Sequence, residues 1–314
     1  VSGLTLYFNP VGIALWWARV QMTSLGLEKK TLQAPRGLLT WFEGGPEEPP
    51  FDGGDTVVLV HGMGDHAATW VRIVPELMRR HRLLIPDLPG HGESAPRGSA
   101  LENGSLTLTD ERAGLEALLD ARTEGPVVLV GNSMGGWISM LVARDRPEKV
   151  ARLVLINSGG LSFESRVPAL PETREEARAM VTAVLGPDAG REIPGFFLDD
   201  LVDKVQAGPA PRLVASFPEA DLLDGELDRV RVPTEVIWGE LDEVFPPDYV
   251  RRLVEGLPAA RYHALPECAH SPQITCPGLL AELLSNLLEE PPAPVPSDVA
   301  TPEPPVPEPV PAPS

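Results

Sequence analysis

An apolar run, VVLV, ends in the segment GNSMGGW, and Gly131, Ser133 and Gly135 within it fit the spacing G-x-S-x-G. That spacing suits a serine lifted on a sharp strand-to-helix turn, with glycines where side chains would collide with the adjoining backbone. The serine hydroxyl is a poor nucleophile at neutral pH, so it needs a base within hydrogen-bond reach and a third group to orient that base. Both should come later in the chain, in the order acid then histidine. TEVIWGELDEVFPP places Asp242 just after an apolar run, with Glu240 and Glu243 as neighbouring alternatives. Asp242 is preferred because a short carboxylate can sit on the turn while the glutamates point to water. ARYHALPECAHSPQ offers His263 inside a strand pattern and His270 in the loop beyond it. The loop position assigns His270 as the base.

Attack on a carbonyl also needs donors for the oxygen that becomes negative. The Met134 amide, at the N-terminus of the helix that starts at the serine turn, is one such donor. The second is expected from HGMG, which follows another apolar run, VVLV. There the Met63 amide faces the same point, Gly62 allows close approach, and His61 braces the loop. No zinc spacing joins the histidines and cysteines, and neither a metal nor a cofactor is expected. Cys268 and Cys276 flank the base loop and are expected as thiols rather than as a disulfide.

Residues so far apart along the chain must be brought together by a sheet. Alternating strand and helix signals predict strands over Leu38–Phe42, Thr56–Val60, Arg82–Ile85, Val127–Val130, Arg152–Ile156, Thr234–Trp238 and Arg261–Leu265. This is an α/β fold with a mostly parallel sheet and helices on both faces. The rhythm stops between Asn157 and Val232, where an inserted helical cap over residues 159–228 is expected, with helices near Thr173–Leu185 and Phe197–Val205. Ligands bind beyond the carboxyl ends of such strands, so the insertion would roof the site. Its apolar residues, among them Leu161, Phe163, Leu170, Met180, Phe196, Phe197 and Leu198, serve as cap core or pocket wall. The core thus comprises residues 36–158 and 229–288.

The ends differ from this body. Residues 1–35 carry the apolar, aromatic stretch LTLYFNPVGIALWWARVQM, interrupted by Asn9, Pro10 and Arg19. It is too broken for a membrane-spanning helix and lacks the basic start of a signal peptide. A helix from about Val11 to Leu25 either lies in a membrane interface, with Trp16 and Trp17 at the headgroups, or packs over the mouth of the site. Residues 289–314 hold 11 prolines and five acids with no basic residue, which predicts a disordered tail. With 43% hydrophobic residues the body can hold a sizeable core, and a formal charge of −19 argues against a nucleic-acid partner. A small molecule is the expected partner, with peripheral membrane contact through the N-terminal segment. A cytoplasmic or membrane-peripheral location is favoured over secretion.

HGMG, DLPGHGES at Asp87–Ser94, GNSMGG, GELD and CAHSP together resemble the α/β-hydrolase superfamily over about residues 36–288. The stretches around Ser133 and from Val232 to His270 look like monoacylglycerol-lipase-type serine carboxylesterases, some of which carry an N-terminal membrane segment. The resemblance implies acyl transfer through Ser133, Asp242 and His270 on lipid-like or medium-chain esters. Carbon–carbon bond hydrolases of the meta-cleavage type are similar around GNSMGG, but HGMGDHAATW lacks their further glycines and asparagine. A non-catalytic binding protein on this scaffold is the third reading; it would have no need of all three catalytic groups.

Overall fold

The computed structural model describes residues 10–46, 56–94, 106–217 and 222–292. Most of the acidic, proline-rich tail and the first nine residues lie outside the described residues. Eight strands form one sheet: β1 Glu28–Ala34, β2 Gly37–Gly44, β3 Thr56–Val60, β4 Arg82–Asp87, β5 Val127–Asn132, β6 Val150–Ile156, β7 Thr234–Gly239 and β8 Ala260–Leu265. Their spatial order is β1-β2-β4-β3-β5-β6-β7-β8. β2 runs antiparallel to both neighbours, and β4 through β8 are parallel. The sheet takes in Glu28–Ala34, which the sequence reading leaves in the N-terminal segment.

The strands at the centre are apolar throughout because both faces are covered. Alternate residues go to opposite cores. Val57, Leu59, Val128 and Val130 pack with Phe42 and with Leu280 and Leu284 of the helix Pro277–Glu289. Val58, Val60 and Leu129 pack on the other face with Leu115 of the helix Leu108–Arg122 and Ile138 of the helix Met134–Asp145. Each such aliphatic side chain contributes about 2 kcal/mol, so a shift of one residue in strand register would forfeit a large share of the stability.

Between β6 and β7 lie the helices Arg174–Leu185, Pro187–Glu192, Gly195–Ala207 and Ala210–Ser216. Thr173 is not in the first of these but caps it: its hydroxyl accepts from the Glu176 amide while Glu176 reaches back, a reciprocal cap. Ala177, Val181 and Leu198 make a small core of their own, whereas Leu161 is buried in the main one and Phe163 and Phe196 are exposed.

The N-terminal helix Pro10–Ser24 packs one side against the body. Met22 is buried in the core, the Val11 amide donates to Asp200 of the helix Gly195–Ala207 at 2.9 Å, and the Arg19 guanidinium stands 4.0 Å from buried Asp87. Its other side leaves Ile13, Trp16 and Trp17 more than half exposed. No helix among the described residues is long and apolar enough to cross a membrane.

At the antiparallel end of the sheet, Glu43 is buried and accepts hydrogen bonds from Trp41 at 3.0 Å, Arg82 at 2.6 Å and Arg122 at 2.8 Å. Burial alone would raise its pKa, but the donors from Arg122, Arg82 and Trp41 outweigh burial and hold it at about 2. A carboxylate depressed in the folded state stabilises above its unfolded pKa, and the contribution is lost as pH falls through the folded value. Glu43→Gln is therefore expected to cost about 2 kcal/mol at neutral pH. In urea titrations the gap from wild type should narrow as pH is lowered from about 5 toward 2.

Candidate active site

β5 ends at Asn132, and the helix Met134–Asp145 begins after a single intervening residue. Ser133 joins them at φ 55°, ψ −121°; it and Asn157 are the non-glycine residues with positive φ among the described residues. Such a backbone costs about 1–3 kcal/mol and must be held by its surroundings. The Ser133 amide donates to the Ile156 carbonyl, and its own carbonyl accepts from Gly136, Trp137 and Gly159. A side chain at Gly131 would run into the Gly135–Gly136 backbone, and one at Gly135 into the carbonyls of Val60 and His61. The two glycines allow strand, turn and the neighbouring β3 loop to touch.

Asp242 follows β7, and its side chain is only 1% exposed. Oδ1 accepts from the amides of Val244 at 2.7 Å and Phe245 at 3.3 Å, and Oδ2 accepts from the Asn157 side chain at 2.7 Å. His270 Nδ1 lies 2.8 Å from the same Oδ2. A carboxylate only accepts, so Nδ1 carries the proton and Nε2 is left with its lone pair. Glu240 and Glu243 are exposed, and His263 pairs with buried Glu235 at 2.8 Å, away from this centre. No hydrogen bond joins the Ser133 hydroxyl to the His270 ring among the described residues.

Two buried asparagines, neither singled out by the sequence reading, connect these loops. Asn132 donates to the Ile156 carbonyl and to the His270 carbonyl, each at 3.0 Å, and accepts from Gln273. Asn157, at the end of β6, donates to Asp242 and to the Gly239 carbonyl and accepts from the Gly239 amide. The available signal was a polar residue closing an apolar strand, at the end of the sheet where ligands bind.

The expectation of free thiols is corrected: Cys268 and Cys276 form a disulfide with Cα atoms 5.8 Å apart. The one-turn helix Pro272–Thr275 folds the chain back and brings the second cysteine to the first, which a spacing along the sequence does not reveal. The bridge encloses His270. The Ser271 amide also donates to the carbonyl of Val184, so the inserted helices touch the histidine loop.

At the end of β3, His61 Nδ1–H donates to the Gly62 carbonyl at 2.8 Å and Nε2 accepts from the Leu88 amide at 3.0 Å. Burial first, and His91 second, hold its pKa well below the usual imidazole range, so it braces the loop as a neutral ring. A Cβ at Gly62 would stand 3.2 Å from Ser133 Cβ, which puts the HGMG turn against the serine. The amides of Met63 and Met134 form no hydrogen bond among the described residues.

A mostly parallel sheet, with a serine turn at its centre and an acid and a histidine beyond later strands, is the architecture of a hydrolase. The chain belongs to the alpha/beta hydrolase family, whose sequence profile matches residues 57–283. It is 26% identical over 270 residues to monoacylglycerol lipase ABHD6 of Homo sapiens, covering 79% of this chain and 77% of that one. Identity is 27% over 268 residues to a 2-hydroxy-6-oxononadienedioate/2-hydroxy-6-oxononatrienedioate hydrolase of Klebsiella pneumoniae, covering 76% and 88%. Among solved structures, a membrane phospholipase A described as a bacterial virulence factor shares the fold, with a TM-score of 0.72 and 24% identity over 90% of this chain and 92% of that one.

Removing the Asn157 amide leaves Asp242 Oδ2 bound to His270 alone. On the reading of Ser133 as the nucleophile, Asn157→Ala should slow its labelling by a fluorophosphonate probe about tenfold, the equivalent of one lost hydrogen bond of about 1.4 kcal/mol. Labelling rates measured well below the melting temperature check this.

Proposed function

We propose that this protein is a serine hydrolase of carboxylic esters, acting on monoacylglycerol-like or medium-chain acyl esters through an acyl-enzyme. The observation that carries the reading is the 2.8 Å contact between His270 Nδ1 and Asp242, which leaves Nε2 as the basic nitrogen on a loop fastened by the residue before Ser133. His270 takes the proton of Ser133 as Oγ attacks the ester carbonyl. The amides of Met63 and Met134 hold the oxyanion, and the alcohol leaves with the proton that His270 returns. Water then repeats the sequence and releases the acid.

An apolar acyl chain suits the surroundings. Phe245 stands 5.4 Å from the His270 ring and 4.8 Å from Phe163, while Trp137 packs edge-on against Phe217 at 5.2 Å. The helices inserted between β6 and β7 act as the cap. The relative named as a monoacylglycerol lipase supports the same substrate class. Carbon–carbon bond hydrolysis is the second reading, supported by the Klebsiella relative; a short HGMG turn without further glycines or an asparagine speaks for the ester.

A chain-length series of nitrophenyl and monoacylglycerol esters, run beside a vinylogous diketone, separates the two. Ester turnover is expected to exceed diketone turnover, and Ser133→Ala should abolish both hydrolysis and fluorophosphonate labelling. Fast diketone cleavage with negligible ester cleavage would reverse the assignment.

The exposed side of the N-terminal helix supports peripheral contact with lipid, since Trp16, Trp17 and Ile13 lie together on it and Phe196 is exposed on the helix Gly195–Ala207, to which that N-terminal helix is bonded. Full-length protein should float with liposomes and a Trp16→Ser, Trp17→Ser variant should not. Equal recovery in the soluble fraction removes the idea.

A further inference from the structure

A second buried carboxylate–imidazole pair lies behind the HGMG turn, outside the chemistry described above. His91 Nε2 accepts a hydrogen bond from the Gly64 amide at 3.1 Å. A ring nitrogen that accepts must hold a lone pair, so the proton of the neutral ring is on Nδ1. Nδ1 faces the Pro89 carbonyl at 3.2 Å and Glu111 Oε1 at 3.3 Å. Both side chains are shut off from solvent, at 1% and 0% exposure.

Glu111 is conspicuous where it sits. It lies in the first turn of the helix Leu108–Arg122, whose other inward residues include Leu108, Leu115 and Leu118, and an apolar side chain would pack there without cost. A buried carboxylate is expensive unless it is used. Neither of its oxygens has a hydrogen-bond partner among the described residues, so Oε1 meets Nδ1 as a 3.3 Å ion-pair contact beside the hydrogen bond from Nδ1 to the Pro89 carbonyl. Burial raises the pKa of Glu111, with His91 opposing, whereas for His91 burial acts downward and Glu111 overrides it to give a net rise.

We propose that Glu111 and His91 are positioning residues for the Met63 amide: Glu111 keeps the His91 proton on Nδ1, and Nε2 then fixes the Gly64 amide and with it the Gly62–Gly64 turn. This rests on the reading of Met63 as an oxyanion donor. The order carboxylate then imidazole is that of Asp242 and His270, with a longer 3.3 Å contact between the two and a backbone N–H at the far ring nitrogen. Doubly protonated His91 would direct an N–H at the Gly64 N–H, and the turn would lose its anchor. The other charged or titratable groups around the ring are His61, with ring centroids 5.0 Å apart, together with Asp87, Asp65 and His66. Arg19 reaches Asp87 from the N-terminal helix, and Asp87 itself is occupied by the amides of Ala67 and Glu93. Of these charged groups Glu111 is the one in ion-pair contact with Nδ1, beside the neutral Pro89 carbonyl.

The test compares Glu111→Leu with Glu111→Gln and His91→Phe with His91→Gln, since each glutamine keeps an acceptor oxygen that the apolar residue lacks. Turnover of one nitrophenyl ester, affinity for a trifluoromethyl ketone inhibitor and melting temperature are measured for each. The apolar variants are expected to lose about ten- to a hundredfold in kcat and in inhibitor affinity together, with KM within about twofold, as for a misplaced oxyanion donor. The glutamine variants should regain most of both. Glu111→Leu and Glu111→Gln behaving alike, or losses that merely follow the unfolded fraction, would overturn the proposal. Should the apolar variants fail to fold, the nitrogen chemical shifts of His91 in the wild-type protein decide it: a proton on Nδ1 supports the pair, and a proton on Nε2 ends it. Met63→Pro separates the two levels of argument. If it abolishes turnover while Glu111→Leu does not, only the positioning role falls; if it leaves turnover intact, the oxyanion assignment falls and takes the positioning role with it.

Discussion

A serine at φ 55° and ψ −121° is held against its own backbone preference, and much of the molecule can be understood as what holds it. β5 feeds the turn from below, the helix Met134–Asp145 leaves it above, and the carbonyl of Ser133 is occupied by three amides. Close approach of β3 then follows from the lack of a side chain at Gly135, and that of β5 to the start of the helix from the lack of one at Gly131. The core on both faces of β5 supplies the cohesion that keeps this strained joint closed.

The same sheet solves a second problem, that of gathering polar groups without exposing them. β3 through β7 are parallel and in register, so the residues that follow their last apolar positions come out at one rim. His61, Asp87, Asn132, Asn157 and Asp242 all lie there. Four are bonded by the backbone of a neighbouring loop, His61 by Leu88, Asp87 by Ala67, Asn132 by His270 and Asn157 by Gly239, and Asp242 is bonded by the side chains of Asn157 and His270. Loops that carry little regular structure are thereby fixed to one another by side chains anchored in the sheet.

What could be read from the chain follows from this division. The apolar runs of β3 and β5, with their glycine turns, announce themselves because burial on both faces leaves a continuous pattern. That Asp242 and His270 stand within hydrogen-bond distance was legible from their order after successive strands. β1 was not legible: EKKTLQA is an antiparallel edge strand with mostly exposed side chains, so its residues carry little of the alternation that marks a strand. Asn132 and Asn157 escaped because a single amide at a strand end resembles ordinary turn chemistry until its partners are known. The bridge between Cys268 and Cys276 depends on a four-residue helix whose turn places them face to face.

That bridge closes a short covalent ring around the loop of His270, with a sequence separation of 8 between its cysteines. A ring of this size removes chain entropy from the unfolded state worth about 2.5 kcal/mol. In an oxidising medium the imidazole rides on a hoop whose two ends cannot drift apart. Were the bridge reduced, the loop would depend on what remains: the grip of Asn132 on the His270 carbonyl, the Ser271 amide on the Val184 carbonyl, the Leu241 amide on the Cys268 carbonyl, and the side-chain contact with Asp242. The loop that carries the imidazole thus has a covalent fastening that thiol chemistry can undo, while the Ser133 turn, built on glycines and carbonyls, has none.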